Sequence, residues 1–193
     1  MVILQFIAAI LVAYLVGAFP TGVIVTKLIG APDVRYHGSG NTGGTNTAQI
    51  AGPKLGAFVV IVDGLKALIA WAAVYVILLG SGWALPIAGT FAVIGHCWPI
   101  YTRFHGGMGL ATGGGLIFIV TPVTLLYIIP VWAIFYYLIF KKTYSPRSVS
   151  LAILIGPAIQ LVTYPLTWPI QWLLLGMIPV LFIRHLPEWN RQV

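Results

Sequence analysis

The sequence has 193 residues, of which 60% are hydrophobic and only 7% are charged. The mean hydropathy is +1.00. Soluble domains carry about a quarter charged residues, so this chain has too few to cover a water-facing surface. It is predicted to be an integral membrane protein, and its length suits one membrane domain over residues 1–193.

Seven apolar segments follow one another along the chain, at residues 2–29, 55–79, 85–101, 109–121, 123–140, 149–165 and 169–184. The first has no basic residues before it and is too long for a cleaved signal, so it is predicted to be a span. Thr121-Pro122 predicts a turn between the fourth and fifth segments, because proline disfavours helix in the residue before it. One kinked helix over 109–140 is the alternative.

The net charge of +7 raises the question of nucleic-acid binding, and the placement of the basic residues answers it. Lysines and arginines cluster in alternate loops and at the tail: Lys27, Arg35 and Lys54; Arg103; Lys141, Lys142 and Arg147; Arg184 and Arg191. This alternation is typical of cytoplasmic loops. It predicts an all-α bundle of seven transmembrane helices with the N-terminus outside and the C-terminus in the cytoplasm, contacting lipid headgroups and no nucleic acid.

Polar residues are concentrated in four segments on the predicted cytoplasmic side, at 35–54, 95–115, 148–152 and 184–191. The second contains HGGMG (105–109), whose glycines free backbone N–H groups to face an anion. Glycine-rich loops beside helix N-termini suit an anionic group. We therefore interpret the four segments as one anion pocket; the alternative is that small residues permit tight turns and close helix packing.

Asp63 and Lys66 lie three residues apart in the second span, so they share a helical face. We interpret them as a pair that neutralises itself; the alternative is a support for the neighbouring loop. His96 and His185 have no carboxylate or cysteine cluster beside them, so no metal site is expected, and no cofactor. The one cysteine, Cys97, is interpreted as packing.

The long motifs resemble those of the bacterial membrane acyltransferases that transfer an acyl group from acyl phosphate to glycerol 3-phosphate. GSGNTGGTNTAQIAG (38–52), GHCWPIYTRFHGGMGLATGGG (95–115) and RHLPEWNR (184–191) resemble the three signature motifs of that family, and Ser150-Leu151-Ala152 its serine segment. The resemblance implies seven spans, phospholipid biosynthesis and the bacterial inner membrane. It implies catalytic roles for Ser39 and His185. The implied substrate-binding and phosphate-binding residues are Gly40, Asn41, Thr45, Asn46, His96, His105, Gly106, Gly107, Gly109, Ser150 and Asn190.

The chain departs from the family pattern at basic positions. Gln49 replaces an arginine, His105 and Met108 replace two lysines, and Glu188 replaces an asparagine. Two phosphorylated substrates need cations, and a hydrogen bond to a charged group contributes about 1.5–3 kcal/mol. Losing the arginine and the second lysine should cost about 3–6 kcal/mol, on the order of 10²–10⁴ in rate.

These losses favour a catalytically degenerate family member that is kept as a structural subunit of a larger membrane assembly. The alternative is an active acyltransferase in which Arg103, His105, Lys54 or Arg184 compensates. A transporter is disfavoured because no internal repeat or unpaired buried charge is found. The expected partners are the lipid bilayer and other membrane subunits or, if the enzyme is active, acyl phosphate and glycerol 3-phosphate.

Overall fold

The computed structural model describes residues 1–143 and 145–189, and these residues are helical with no β-strand. The helices are α1 (Val2–Gly17), α2 (Thr21–Leu28), α3 (Gly44–Ala51), α4 (Pro53–Ile77), α5 (Ala84–Cys97), α6 (Leu110–Val120), α7 (Val123–Ala133), α8 (Ser145–Thr163) and α9 (Trp168–His185). The predicted all-α class is confirmed.

Five helical segments among these residues are long and apolar enough to cross a membrane: Val2–Leu28, Pro53–Ile77, Ala84–Thr102, Ser145–Thr163 and Trp168–Glu188. Two shorter apolar helices, Leu110–Val120 and Val123–Ile139, lie between the third and the fourth. The chain is therefore a multi-pass membrane protein. The count of seven spans and the outside N-terminus stay predictions.

The chain divides into two compact units, Met1–Leu116 and Ile117–Val193, with the boundary inside α6. The first unit contains α1–α5, and α1 packs on both α4 and α5. The second contains α7–α9, with α8 packed on α7 and α9. The single domain expected over 1–193 stays a prediction.

The first apolar segment, expected as one span over 2–29, is interrupted between α1 and α2. Pro20 follows Phe19 at this point and has no backbone N–H, so it cannot continue the hydrogen-bond ladder of α1. The backbone N–H of Ile24 returns to the carbonyl of Pro20 and restarts the helix. The interruption divides the segment into α1, of 16 residues, and α2, of 8 residues.

The predicted polar segments are partly helical. Within 35–54 the chain forms α3, and 148–152 lies inside α8; residues 95–97 and 110–115 belong to α5 and α6. Close packing explains α3: a Cβ added at Gly44 would lie 2.6 Å from the carbonyl oxygen of Gly56 in α4. Glycine here serves helix contact, in agreement with the alternative interpretation of these residues.

The turn predicted at Thr121-Pro122 is confirmed, because α6 ends at Val120 and α7 begins at Val123. The hydroxyl groups of Thr121 and Thr124 are hydrogen-bonded to each other over 3.0 Å. In the second unit, Gly156 of α8 lies against the backbone of Ile128 in α7. This contact lets the two helices approach closely.

Helix contact in the first unit predicts opposite effects for two glycine-to-alanine changes. A Cβ at Gly95 would collide with the carbonyl oxygen of Tyr14 and lie 2.8 Å from the amide nitrogen of Ala18, whereas Gly114 has nothing within 4 Å. Gly95→Ala should destabilise the protein by about 1–3 kcal/mol through overpacking. Gly114→Ala should be neutral or stabilising by up to about 1 kcal/mol, since alanine is the better helix former.

Thermal unfolding in detergent, followed by circular dichroism, measures both variants. A Gly95→Ala protein that melts at or above the temperature of Gly114→Ala would contradict the α1–α5 contact.

Candidate functional site

The loop that carries Ser39 is built around Asn46, the third residue of α3. The Asn46 side-chain oxygen accepts the backbone N–H of Ser39 at 2.9 Å. Its side-chain nitrogen donates to the carbonyls of Val34, His37 and Asn41 at 2.9, 3.1 and 2.9 Å. Asn46 is 2% exposed. Its amide is thus used within the loop, and it holds Ser39 in position.

Glycines on both sides of Ser39 make this loop possible. Gly38 and Gly40 have φ values of +61° and +74°, which residues with a Cβ rarely adopt. A Cβ at Gly38 would also collide with the Asn46 side-chain oxygen. The Ser39 hydroxyl is partly exposed, and both the backbone N–H and the side-chain amide of Asn41 point to it over 3.4 Å. The hydroxyl therefore has only long contacts within the loop.

The glycine loop at 105–109 meets the Ser39 loop within the first unit. The backbone N–H of Thr42 donates to the carbonyl of Gly106 at 3.4 Å, and that of Gly107 donates to the carbonyl of His96 at 3.1 Å. A Cβ at Gly107 would collide with the ring of His96, and one at Gly106 would lie 2.5 Å from the carbonyl oxygen of Cys97. The Thr42–Gly106 hydrogen bond brings the first two predicted motifs together, and close packing within the second motif requires glycine at positions 106 and 107.

A tight turn presents His105 at the surface before the glycine loop. Arg103 and Phe104 have φ values of +54° and +64°. The Thr102 hydroxyl fixes the turn by donating to the carbonyl of His105 at 2.7 Å, and His105 Nδ1 donates to the carbonyl of Arg103 at 2.9 Å. Because Nδ1 carries the proton, Nε2 of a neutral His105 is an acceptor. Met108 is half-buried.

The charges close to Ser39 largely cancel. Arg35 donates to both carboxylate oxygens of Asp33, with the shortest distance 2.6 Å. These hydrogen bonds hold the pKa of Asp33 below its usual value and raise that of Arg35. The Gln49 side-chain oxygen lies 3.6 Å from the point where a Gly38 Cβ would be, so a neutral amide lies beside the Ser39 loop.

Exposed basic residues flank these two loops along the sequence. Lys27, Lys54 and Arg103 are exposed in the first unit, as is His105. Thr45 is exposed at the start of α3, and Gly109 has a φ of +81° at the start of α6. Long, exposed basic side chains can turn toward an anion, at a cost in side-chain entropy.

A buried ion pair lies deeper in the first unit. Lys66 Nζ is 2.6 Å from Asp63 Oδ1, and the two residues are 4% and 1% exposed. The Thr21 hydroxyl donates to the same oxygen at 2.9 Å, and Lys66 also donates to the carbonyl of Phe19 at 2.5 Å. Sequence reasoning found the pair and missed Thr21 and Phe19. The signal was Phe19-Pro20-Thr21, a helix-breaking tripeptide inside an apolar run.

The remaining predicted residues belong to the second unit. The Ser150 hydroxyl donates to the carbonyl of Pro146 at 2.7 Å, within α8. His185 is buried, and its Nδ1 donates to the carbonyl of Leu181 at 2.8 Å, which leaves Nε2 of the neutral ring as an acceptor. Glu188 is half-buried in a short 3₁₀ turn after α9. Asn190 lies outside the described residues.

Comparison with known proteins places the chain in a family. A profile of the glycerol-3-phosphate acyltransferase family matches residues 7–193. The chain belongs to this family. A relative from Syntrophotalea carbinolica named glycerol-3-phosphate acyltransferase is 41% identical over 141 residues, which are 72% of this chain and 70% of the relative. One of the same name from Streptococcus equi subsp. zooepidemicus is 32% identical, over 97% of this chain and 89% of the relative.

A solved acyltransferase structure has the same fold. The crystal structure of PlsY, an integral membrane glycerol 3-phosphate acyltransferase, in its glycerol 3-phosphate form superposes with a TM-score of 0.76 at 32% identity. The match covers 96% of this chain and 90% of PlsY. The lysophosphatidic acid form of PlsY gives a TM-score of 0.75. The chain is thus a multi-pass acyltransferase-family protein of the bacterial inner membrane.

The contacts of Asn46 predict that Asn46→Asp loosens the Ser39 loop. The new carboxylate loses the N–H donors to three carbonyls, and it places negative charge beside them. Unpaired buried polar groups cost about 1–3 kcal/mol, so we expect a loss of stability of this order. Thr45→Ala, one residue earlier and exposed, is the control and should be nearly neutral.

Thermal unfolding in detergent and amide hydrogen exchange of residues 34–41 measure the effect. Equal melting temperatures and equal exchange for the two variants would contradict the role of Asn46.

Proposed function

We propose that this protein is an active acyltransferase that transfers an acyl group from acyl phosphate to glycerol 3-phosphate. The observation that carries the proposal is the contact between the Ser39 loop and the glycine loop at Thr42 and Gly106. The Ser39 hydroxyl, which has only long contacts within its loop, is proposed to lie close to this turn of closely packed glycines. Membership of the acyltransferase family over residues 7–193 supports this reading.

The proposed step exchanges one bond to the acyl carbon for another. The acceptor hydroxyl oxygen forms a bond to the acyl carbon, the bond from that carbon to the phosphate oxygen breaks, and the electron pair leaves with phosphate. The proton of the acceptor hydroxyl leaves on hydrogen phosphate. The protein must therefore bind two anionic groups and orient the acceptor, which are tasks of positioning and electrostatics.

The described residues offer donors for these tasks. The Ser39 hydroxyl is proposed to contact a reacting group, and the amino end of α6, directly after the glycine loop, suits a phosphate. Arg103, His105 and Lys54 are exposed, and they are proposed to supply the positive charge that Gln49 and Met108 do not. Since exposed charges are screened by water, we expect weak binding of glycerol 3-phosphate. The catalytic role that the family resemblance implies for His185 stays a prediction.

A second candidate function is a structural subunit of a larger membrane assembly, with catalysis lost. The neutral Gln49 beside the Ser39 loop and the apolar Met108 between glycines favour it, because both reduce the affinity for phosphorylated substrates. It predicts a stoichiometric partner in mild detergent and no turnover.

An assay of the purified protein distinguishes the two functions. Acyl phosphate and glycerol 3-phosphate are supplied, and release of phosphate and formation of the acylated product are both measured. We expect turnover above a protein-free control. Ser39→Ala should lower kcat/KM by about 10²-fold or more, because a donor to the reacting groups is lost.

Ser81→Ala is the matched control: the same change in the turn after α4, where the hydroxyl only accepts the backbone N–H of Trp83 at 3.3 Å. It should retain the wild-type rate. Absence of turnover by the wild-type protein, together with a stoichiometric partner, would refute the enzyme and support the structural subunit.

A further inference from the structure

We propose that Asp63 and Lys66 are positioning residues: they hold the interruption between α1 and α2 and thereby place the loop that carries Ser39. The catalytic consequence of this proposal rests on the proposed function. The structural consequence, the order of the Ser39 loop, does not, so the two are tested by different readouts.

The interruption leaves backbone groups that must find partners inside a membrane protein. The hydrocarbon region offers no water, so an unpaired carbonyl is costly there and non-helical backbone must be paired within the protein. The Phe19 carbonyl accepts the backbone N–H of Thr21 at 3.1 Å and the Lys66 ammonium at 2.5 Å. Lys66 thus pairs the Phe19 carbonyl, which lies at the interruption between α1 and α2.

The two charges also match the two helix ends. The carboxyl end of a helix carries partial negative charge and its amino end partial positive charge. Lys66 donates a hydrogen bond to the carbonyl of Phe19, just beyond the end of α1. The Asp63 carboxylate accepts one from the hydroxyl of Thr21, the first residue of α2. If the two charges only neutralised each other, Lys66 would not need to face the end of α1, nor Asp63 the start of α2.

The position of α2 determines that of the Ser39 loop. A Cβ at Gly22, one residue after Thr21, would collide with the carbonyl oxygen of Thr42 and lie 3.0 Å from the hydroxyl of Thr47. At the other end of α2, the backbone N–H of Ala31 donates to the carbonyl of Thr26 at 2.9 Å. The loop from 29 to 43 is therefore attached to α2 at both of its ends.

A second contact connects the pair to the glycine loop. His96 Nδ1 lies 3.9 Å from Asp63 Oδ1, and the other side of the same ring lies against Gly107. Asp63 is thus next to both α2 and the histidine that supports the glycine loop. A single buried carboxylate adjoins the supports of both parts of the candidate site.

Removing both charges together tests the proposal without leaving one charge buried alone. Replacement of a buried ion pair by neutral residues is often tolerated, whereas loss of one partner is strongly destabilising. We expect Asp63→Asn/Lys66→Met to remain helical and inserted. Amide exchange of residues 29–43 should rise about tenfold, and kcat should fall at least about tenfold with a smaller change in KM, as expected for misplaced reacting groups.

Thr21→Val is a milder variant that retains both charges and removes only the hydroxyl that joins α2 to Asp63. Thr26→Val makes the same change one turn later, where the hydroxyl donates only to carbonyls of α2 itself. We expect faster exchange of 29–43 in Thr21→Val and wild-type exchange in Thr26→Val.

Hydrogen exchange followed by mass spectrometry measures the exchange of residues 29–43 in each variant. The assay above gives kcat and KM. If the protein has no activity at all, the proposed function fails while the exchange data still decide the positioning role. If the double variant does not fold, the two threonine variants decide. Wild-type exchange of 29–43 in Thr21→Val, or in a folded double variant, would overturn the proposal.

Discussion

The architecture of the first unit depends on one constraint: a helix that breaks within a membrane-spanning segment must have its free backbone groups paired by the protein. The Phe19 carbonyl meets this constraint with Lys66, and Asp63 keeps the buried ammonium neutralised. A buried ion pair is a poor source of stability, because the cost of removing both charges from water opposes the attraction between them. Its value lies in fixing where α1 ends and α2 begins.

The same region shows how glycines and one amide shape the candidate site. Gly22, Gly106 and Gly107 lie against backbone or ring atoms that would exclude any Cβ, so the surrounding segments are held at short distance. Asn46 then fixes the Ser39 loop through four hydrogen bonds. The polar residues of the first motif divide into those that build the loop, such as Asn46, and those that it presents, such as Ser39.

Much of the fold was predictable from the sequence, because apolar length identifies helices that cross a membrane and Thr121-Pro122 identifies a turn. The interruption at Phe19-Pro20 was missed, since the composition of residues 2–29 remains apolar on both sides of it. The helix α3 was missed for a related reason. Its glycine and threonine residues have low helix propensity, and contact with Gly56 of α4 overrides that tendency.

The candidate site was only partly predictable. Motif spacing identified the Ser39 and glycine loops, and the structure brings them together. Motif spacing did not indicate that the Asn46 amide is used inside the loop, because a residue type alone does not give the direction of its hydrogen bonds. Likewise, the spacing of Asp63 and Lys66 predicted a pair but not its contacts with Phe19 and Thr21, which come from a distant part of the chain.

The contact between Lys66 and Phe19 can be measured directly by solid-state NMR of the protein in lipid bilayers. Lysine labelled with ¹⁵N at Nζ and phenylalanine labelled with ¹³C at the carbonyl carbon are incorporated, and the dipolar coupling between them is recorded. A charged Lys66 ammonium strongly coupled to the Phe19 carbonyl carbon, with the coupling absent in Lys66→Met, is the predicted result. A Lys66 side chain with no close phenylalanine carbonyl would contradict the account.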